Sequence, residues 1–178
     1  MSTKHYDLDA AIRKIPDFPK PGVLFYDITS ILTNTEAFSF CIEKMISLYS
    51  DKEIDGVAAV EARGFLFAAP FAEKQQLPLV LIRKKGKLPG KTLTKSYSLE
   101  YGSAEIELHV DDIEKYKKYL LIDDLIATGG TLRASAQMIQ EAGGIVTDIF
   151  GVVGLPFLKY DEVLSGFAVS TLINYDSE

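Results

Sequence analysis

The sequence predicts an α/β fold: a mainly parallel, twisted sheet flanked by helices. Apolar β-type runs at residues 54–60, 77–82 and 119–122 alternate with helix-type patterns, the order of a parallel sheet with helical crossovers. Two of these runs lead straight into a short loop that opens a helix, Glu61-Ala62-Arg63-Gly64-Phe65 and Ala127-Thr128-Gly129-Gly130-Thr131. Ligands of such sheets bind beyond the carboxyl ends of the strands, so the two loops should meet there.

The elements follow in order. Residues 7–15 read as a short amphipathic helix, with Leu8, Ala11, Ile12 and Ile15 on one face, stopping before Pro16. Residues 18–28 then hold prolines and a glycine yet carry several large apolar side chains, which suits a stiff strap along a pocket for a flat ring. Asn34 or Thr35 can cap a helix whose Phe38, Cys41, Ile42, Met45, Ile46 and Tyr49 recur at helical spacing, a core stripe. The strand at residues 54–60, its loop at Arg63 and a helix through Glu73 come next, then the strand at residues 77–82.

From Arg83 the character changes. Residues 83–91 are strongly basic, broken by Gly86, Pro89 and Gly90, and too charged to form a packed element. Alternating β-type residues at 92–101 and 104–110 give the insertion hairpin character, and a basic flap over an anion is the kind of lid that closes to exclude water. Beyond the opening glycine loop come a helix at residues 132–142, a long β-type run at 145–155, an irregular or helical connection at 156–166 and a last strand at 168–173.

At 178 residues the chain fits one domain with a substantial core, and 47% hydrophobic with 25% charged residues is ordinary for a soluble globular protein. A net charge of −6 argues against nucleic acid as the main partner. The single Cys41 sits in an apolar helical pattern, so no disulfide framework exists. No apolar run has signal-peptide character or approaches a membrane span, which makes the cytoplasm the expected location. His5 and His109 stand far apart without nearby cysteines, which disfavours a zinc site.

Chemistry concentrates in residues 119–131. A glycine loop opening a helix aims several backbone N–H groups at one anion, and the helix dipole adds to this. Thr128 and Thr131 can supply hydroxyls, so a phosphate suits the loop. Asp123 and Asp124, being acceptors only when ionised, suit a sugar diol or a divalent metal. Together they point to a sugar phosphate. Asp111-Asp112, the same dipeptide with no glycine loop behind it, reads as a solvated turn.

Residues 121–131 resemble the phosphoribosyl-diphosphate motif of the type I phosphoribosyltransferases. Four further segments narrow the resemblance to the adenine phosphoribosyltransferases: residues 18–27, 61–65, 83–90 and 96–102. The match runs in order over nearly the whole chain and weakens after about Phe150. It implies the type I phosphoribosyltransferase fold in a single domain, residues 1–178, with a short N-terminal hood that binds the base (residues 1–34) and a flexible β-hairpin catalytic lid (residues 83–105). It also implies a pentosyltransferase of purine salvage: adenine and 5-phosphoribosyl 1-diphosphate give AMP and diphosphate, with Mg²⁺ required, through a ribosyl cation-like state.

The residue roles come from the same resemblance. Ala127, Thr128, Gly129, Gly130 and Thr131 would cradle the 5′-phosphate, and Asp123 and Asp124 would hold the ribose hydroxyls. Glu61, Ala62, Arg63 and Lys87 would form the diphosphate site, with a non-proline cis peptide at Glu61-Ala62. Arg83 would reach the neighbouring site in a homodimer. Leu24, Phe25, Tyr26 and Leu125 would bind adenine, Phe25 and Leu125 on its two faces and the Leu24 backbone on its edge. Glu100, with Tyr101 beside it, would handle an adenine ring proton. No dedicated protein ligand is expected for Mg²⁺, which substrate and water would hold. Two positions depart from the family pattern: Tyr26, often arginine, and Gly154, often glutamate. A regulator on the same fold would carry a DNA-binding module, for which the chain has no room, or a basic RNA-binding face, whereas the basic cluster here lies in the flap. Xanthine or guanine specificity on the same scaffold is the enzyme alternative, and a Rossmann protein would need a G-x-G-x-x-G after its first strand.

Overall fold

The structure is a computed structural model describing residues 6–98 and 103–177. Seven strands form one sheet in the order β5-β6-β4-β3-β7-β8-β9. These are β3 (Gly56–Val60), β4 (Leu79–Lys84), β5 (Thr92–Ser98), β6 (Ser103–His109), β7 (Lys118–Ile126), β8 (Ile145–Gly154) and β9 (Ala168–Asn174). Pairings from β4 through β3, β7 and β8 to β9 are parallel, and only the β6 and β5 edge runs antiparallel. The helices are α1 (Thr29–Leu32), α2 (Thr35–Tyr49), α3 (Gly64–Gln75), α4 (Gly130–Glu141) and α5 (Tyr160–Val163).

A parallel sheet is covered on both faces, which is why its strands read as continuous apolar runs. Every residue of β3 is buried. Leu120 and Ile122 of β7 join a core with Phe67 and Phe71 of α3, whereas Tyr119 and Leu121 join a second core with Leu132, Met138 and Ile139 of α4. One strand thereby knits the two halves of the molecule. Chain direction diverges between β3 and β7: β3 leads through α3 to β4 on one side, β7 through α4 to β8 on the other. The crevice at that divergence is where ligands bind in open α/β sheets.

Three expectations need correction. The helix expected over residues 7–15 is one 3₁₀ turn, Asp9–Ala11, followed by strand β1 (Arg13–Pro16) paired antiparallel with β2 (Leu24–Asp27). Pro16 pushes Ile15 toward extended backbone, and the apolar face survives only as the buried Leu8 and Ile12. Secondly, β7 does not end at Ile122. It continues through both aspartates to Ile126, because β8 pairs with it as far as Gly154.

Thirdly, the basic segment is partly packed. Arg83 and Lys84 complete β4 and pair with Glu107 and Ile106 of β6, so the hairpin extends the main sheet. Charge kept only the following turn irregular, and there the buried Glu107 carboxylate accepts the N–H groups of Lys87 and Leu88 at 2.8 and 2.7 Å. The α2 cap came out as read: the Asn34 side chain accepts the Ala37 N–H at 3.1 Å.

Candidate active site

Two loops face each other across the crevice. The first leaves β7 and turns into α4 at Gly129, whose φ of +80° belongs to the left-handed region. A Cβ there would also lie 3.0 Å from Leu164 and 3.3 Å from Tyr160. The first helical bond of α4 is Arg133 N–H to the Gly129 carbonyl at 2.9 Å. The N–H groups of the preceding turn have no partner within the helix, as at any helix start. They open on a pocket lined by Asp123 and by residues 125–132, which includes all five residues read as a phosphate cradle.

The second loop leaves β3. Its Glu61-Ala62 peptide is cis, as the resemblance implies. Gly64 then brings the start of α3 close to β7: a Cβ on it would lie 3.1 Å from the Ile122 carbonyl and from the Asp123 Cα and Oδ1. This close approach puts Arg63 beside the acidic pair. Its Nε donates to Asp124 Oδ2 at 2.6 Å, with Asp124 buried and Arg63 half-exposed. Asp27 at the end of β2 also lies in the field of Arg63.

The two aspartates serve differently. Asp124 is committed to Arg63, while Asp123 Oδ1 turns back to accept the Asp124 N–H at 2.8 Å. Burial first, and then the neighbouring Asp124 carboxylate, push the Asp123 carboxyl well above the usual carboxylate range. Glu61 goes the other way. Burial works to raise it, but the Lys84 N–H at 3.0 Å and the Arg83 Nε at 3.1 Å outweigh that and hold it below its ordinary value. Arg83 also donates to the Lys87 carbonyl at 3.1 Å. Glu61, Arg83 and Lys87 thus form one group, with Arg83 held inside its own chain.

In the base strap the site residues divide. Phe25 packs edge-on with Phe18, ring centroids 5.0 Å apart. Tyr26 is buried and stacks on Tyr175 at 3.7 Å, so its ring does not join Phe25. Leu125 lines the pocket at the Gly129 loop. Glu100 and Tyr101 lie outside the described residues. Gly154, the other departure from the family pattern, has no room for a side chain: a Cβ would sit 2.3 Å from the Asn174 Oδ1 and 2.8 Å from the Tyr160 hydroxyl. Asn174 occupies that space and accepts the Thr171 hydroxyl at 2.8 Å. Glu107 and Tyr175 escaped the sequence reading, since nothing local marks their long-range partners.

A glycine loop and an arginine loop that meet at an acidic pair on a sheet switch point make a site whose chemistry suits a phosphorylated sugar. Residues 27–147 match the phosphoribosyl transferase domain family. The adenine phosphoribosyltransferase of Treponema denticola is 61% identical over 96% of this chain and 90% of its own length. The crystal structure of the adenine phosphoribosyltransferase from Thermoanaerobacter pseudethanolicus superposes with a TM-score of 0.91 at 42% identity, covering 94% of this chain and 98% of that one. The Saccharomyces cerevisiae counterpart, solved with an imino-altritol bisphosphate and adenine, gives 0.86 at 32% identity over 93% and 96%. The chain belongs to the phosphoribosyl transferase family, within its adenine phosphoribosyltransferases.

Proposed function

We propose that the chain transfers phosphoribose from 5-phosphoribosyl 1-diphosphate to N9 of adenine, giving AMP and diphosphate. The observation that carries this reading is the meeting of the Gly129 loop with the Arg63 loop at one crevice, two anion sites separated by an acidic pair. The yeast relative's complex with adenine supports the choice of base.

In this reading the backbone of residues 127–131 holds the 5′-phosphate, and Asp123 and Asp124 accept hydrogen bonds from the ribose hydroxyls. Ala62, Arg63 and Lys87 bind the diphosphate. Arg63 exchanges Asp124 for the diphosphate as the donor enters, which frees Asp124 for the ribose. Adenine lies between Phe25 and Leu125, its edge read by the Leu24 backbone; an oxo-purine reverses donors and acceptors and leaves them unpaired. The bond from C1′ to the diphosphate oxygen breaks, the bond to N9 forms, and the N9 proton passes to Glu100, with Tyr101 alongside. The hairpin lid excludes water while C1′ is cation-like, since water would hydrolyse the donor.

Among the described residues no three His, Cys, Asp or Glu are grouped to hold a metal ion. Asp123 and Asp124 offer the hard oxygen donors that Mg²⁺ takes, though too few for a cage, so substrate and water would supply the rest. Bound there, Mg²⁺ would neutralise charge on the departing diphosphate. We further propose a homodimer, in which Arg83 reaches the neighbouring site on exchanging its Glu61 contact, and a cytoplasmic location. No helix among the described residues is long and apolar enough to cross a membrane.

The test is to incubate the protein with the diphosphate sugar, Mg²⁺ and, separately, adenine, hypoxanthine and guanine. AMP is the expected product. No nucleotide with adenine overturns the reading, and product from an oxo-purine alone keeps the scaffold but rejects the base pocket. Glu100→Gln should lose turnover while donor binding survives, and unchanged turnover removes Glu100 from its role.

A further inference from the structure

The ribbon β1–β2 has two faces, and the base reading uses one of them. Cross-strand partners share a face, and the register sets Ile15 against Phe25 but Lys14 against Tyr26. On the Lys14 and Tyr26 face sits Tyr175 from the C-terminal tail. Tyr26 stacks on its ring at 3.7 Å and 14°, and the Lys14 ammonium lies 5.4 Å from the ring centroid.

Tyr175 is pinned at both ends. Its hydroxyl donates to Asp9 Oδ1 at 2.6 Å, and Asp9 pairs through its other oxygen with Lys14 at 2.7 Å. Its backbone N–H donates to the Gly154 carbonyl at 3.0 Å. The Tyr26 hydroxyl in turn donates to the Ser177 carbonyl at 3.3 Å. Gly154 is the register partner of Ile126, the end of β7 and a wall of the phosphate pocket. One residue therefore bridges the base strand β2 and the end of β8, the strand paired with the β7 end that carries the ribose-phosphate loop.

That bridge matters chemically. The two reactants are held by separate chain segments, and bond formation needs the nucleophile about 3–3.5 Å from C1′ with its orbital aligned. We propose that Tyr175 is a positioning residue for the nucleobase, fixing β2, and with it Leu24 and Phe25, relative to the ribose-phosphate loop. The proposal rests on the base site argued above. Tyr175 touches no reactant and acts through Tyr26.

The experiment compares steady-state kinetics of Tyr175→Ala, Tyr175→Phe and Asp9→Asn with the unaltered protein. Loss of the ring stack in Tyr175→Ala should raise the KM for adenine about tenfold while the KM for the diphosphate sugar stays within about twofold. Tyr175→Phe keeps the ring and should recover most of the loss, leaving about a two- to threefold rise; Asp9→Asn should match it. Both KM values rising together, or neither moving, overturns the proposal. Should Tyr175→Ala fail to fold, the adenine KM of the two conservative variants decides. Should the unaltered protein make no AMP, the base reading falls separately. Hydrogen exchange then decides the positioning role: faster exchange at Leu24–Asp27 in Tyr175→Phe with β7 unchanged supports it, and equal exchange overturns it.

Discussion

The Gly129 loop, proposed to hold the ribose phosphate, and the β1–β2 ribbon, proposed to hold the base, are built from different materials. The loop is local: Asp123 and the eight consecutive residues 125–132 supply the strand end, the left-handed Gly129 and the helix start. The ribbon is held by side chains that reach between the two ends of the chain: the Tyr175 hydroxyl meets Asp9 across 166 positions, and the Tyr26 hydroxyl meets the Ser177 backbone carbonyl across 151. The difference teaches where each half is vulnerable. A backbone site fails as a unit when its geometry is disturbed, whereas a side-chain clasp yields one contact at a time and shifts the affinity for one substrate.

Gly129→Ala should have the largest effect. The substitution forces an L-residue into the left-handed region, costing about 1–2 kcal/mol, and sets a Cβ 3.0 Å from Leu164. Displacing the cradle by about 1 Å should lower AMP formation about 100-fold. Kinetics should show the donor bound more weakly at unchanged adenine affinity. Equal weakening of both substrates would show that the two halves are not independent.

Next come the charged residues between the halves. Arg63→Ala leaves the buried Asp124 unpaired, which should destabilise the chain by about 1–3 kcal/mol and raise the donor KM about tenfold or more. Thermal melts and kinetics check each part. Asp123→Asn should do the opposite to stability. Its folded-state carboxyl holds a proton more tightly than the unfolded chain does, so folding is weakened as pH rises through the window above the ordinary carboxylate value. Asn removes that penalty, and the variant should melt higher than the unaltered protein at neutral pH and at a similar temperature at low pH, while binding the donor less well. A variant that melts lower at neutral pH would show that Asp123 is stabilising as the carboxylate.

This division also explains what could be read in the sequence. The parallel sheet was legible because β3 and the first half of β7 are continuous apolar runs, and the turn into α4 because its glycines mark backbone geometry within a few residues. The path of β7 through Asp123 and Asp124 was hidden, since two carboxylates end an apolar pattern even where the neighbouring strand keeps pairing. Residues 7–15 misled because Leu8 and Ile12 are buried in either conformation, and only pairing with β2 decides for a strand. Likewise the charge of residues 83–91 concealed that β6 takes Arg83 and Lys84 into the sheet. Tyr175 carried no signal at all, because its partners Asp9 and Tyr26 are distant in sequence.

The smallest effect belongs to pH at the clasp. Asp9 accepts from Lys14, which contributes most, and from Tyr175, and these bonds hold its carboxyl below the ordinary value although burial opposes them. The groups around it are Lys14 on β1, Tyr26 on β2 and Tyr175 on the tail, and burial keeps the Tyr175 hydroxyl protonated by pushing its pKa up. A lowered pKa means that Asp9 stabilises the fold at pH above the unfolded value of about 3.9, and that the contribution is lost as pH falls through the folded value. Asp9 is half-exposed, so solvent screens the effect and it should be small. The difference in melting temperature between the unaltered protein and Asp9→Asn isolates it. That difference should be constant from pH 8 to about pH 5 and should shrink below pH 4, where Asp9 takes up its proton. A difference that persists undiminished to the lowest pH at which both fold would mean that Asp9 contributes through packing and neutral hydrogen bonds rather than through its charge.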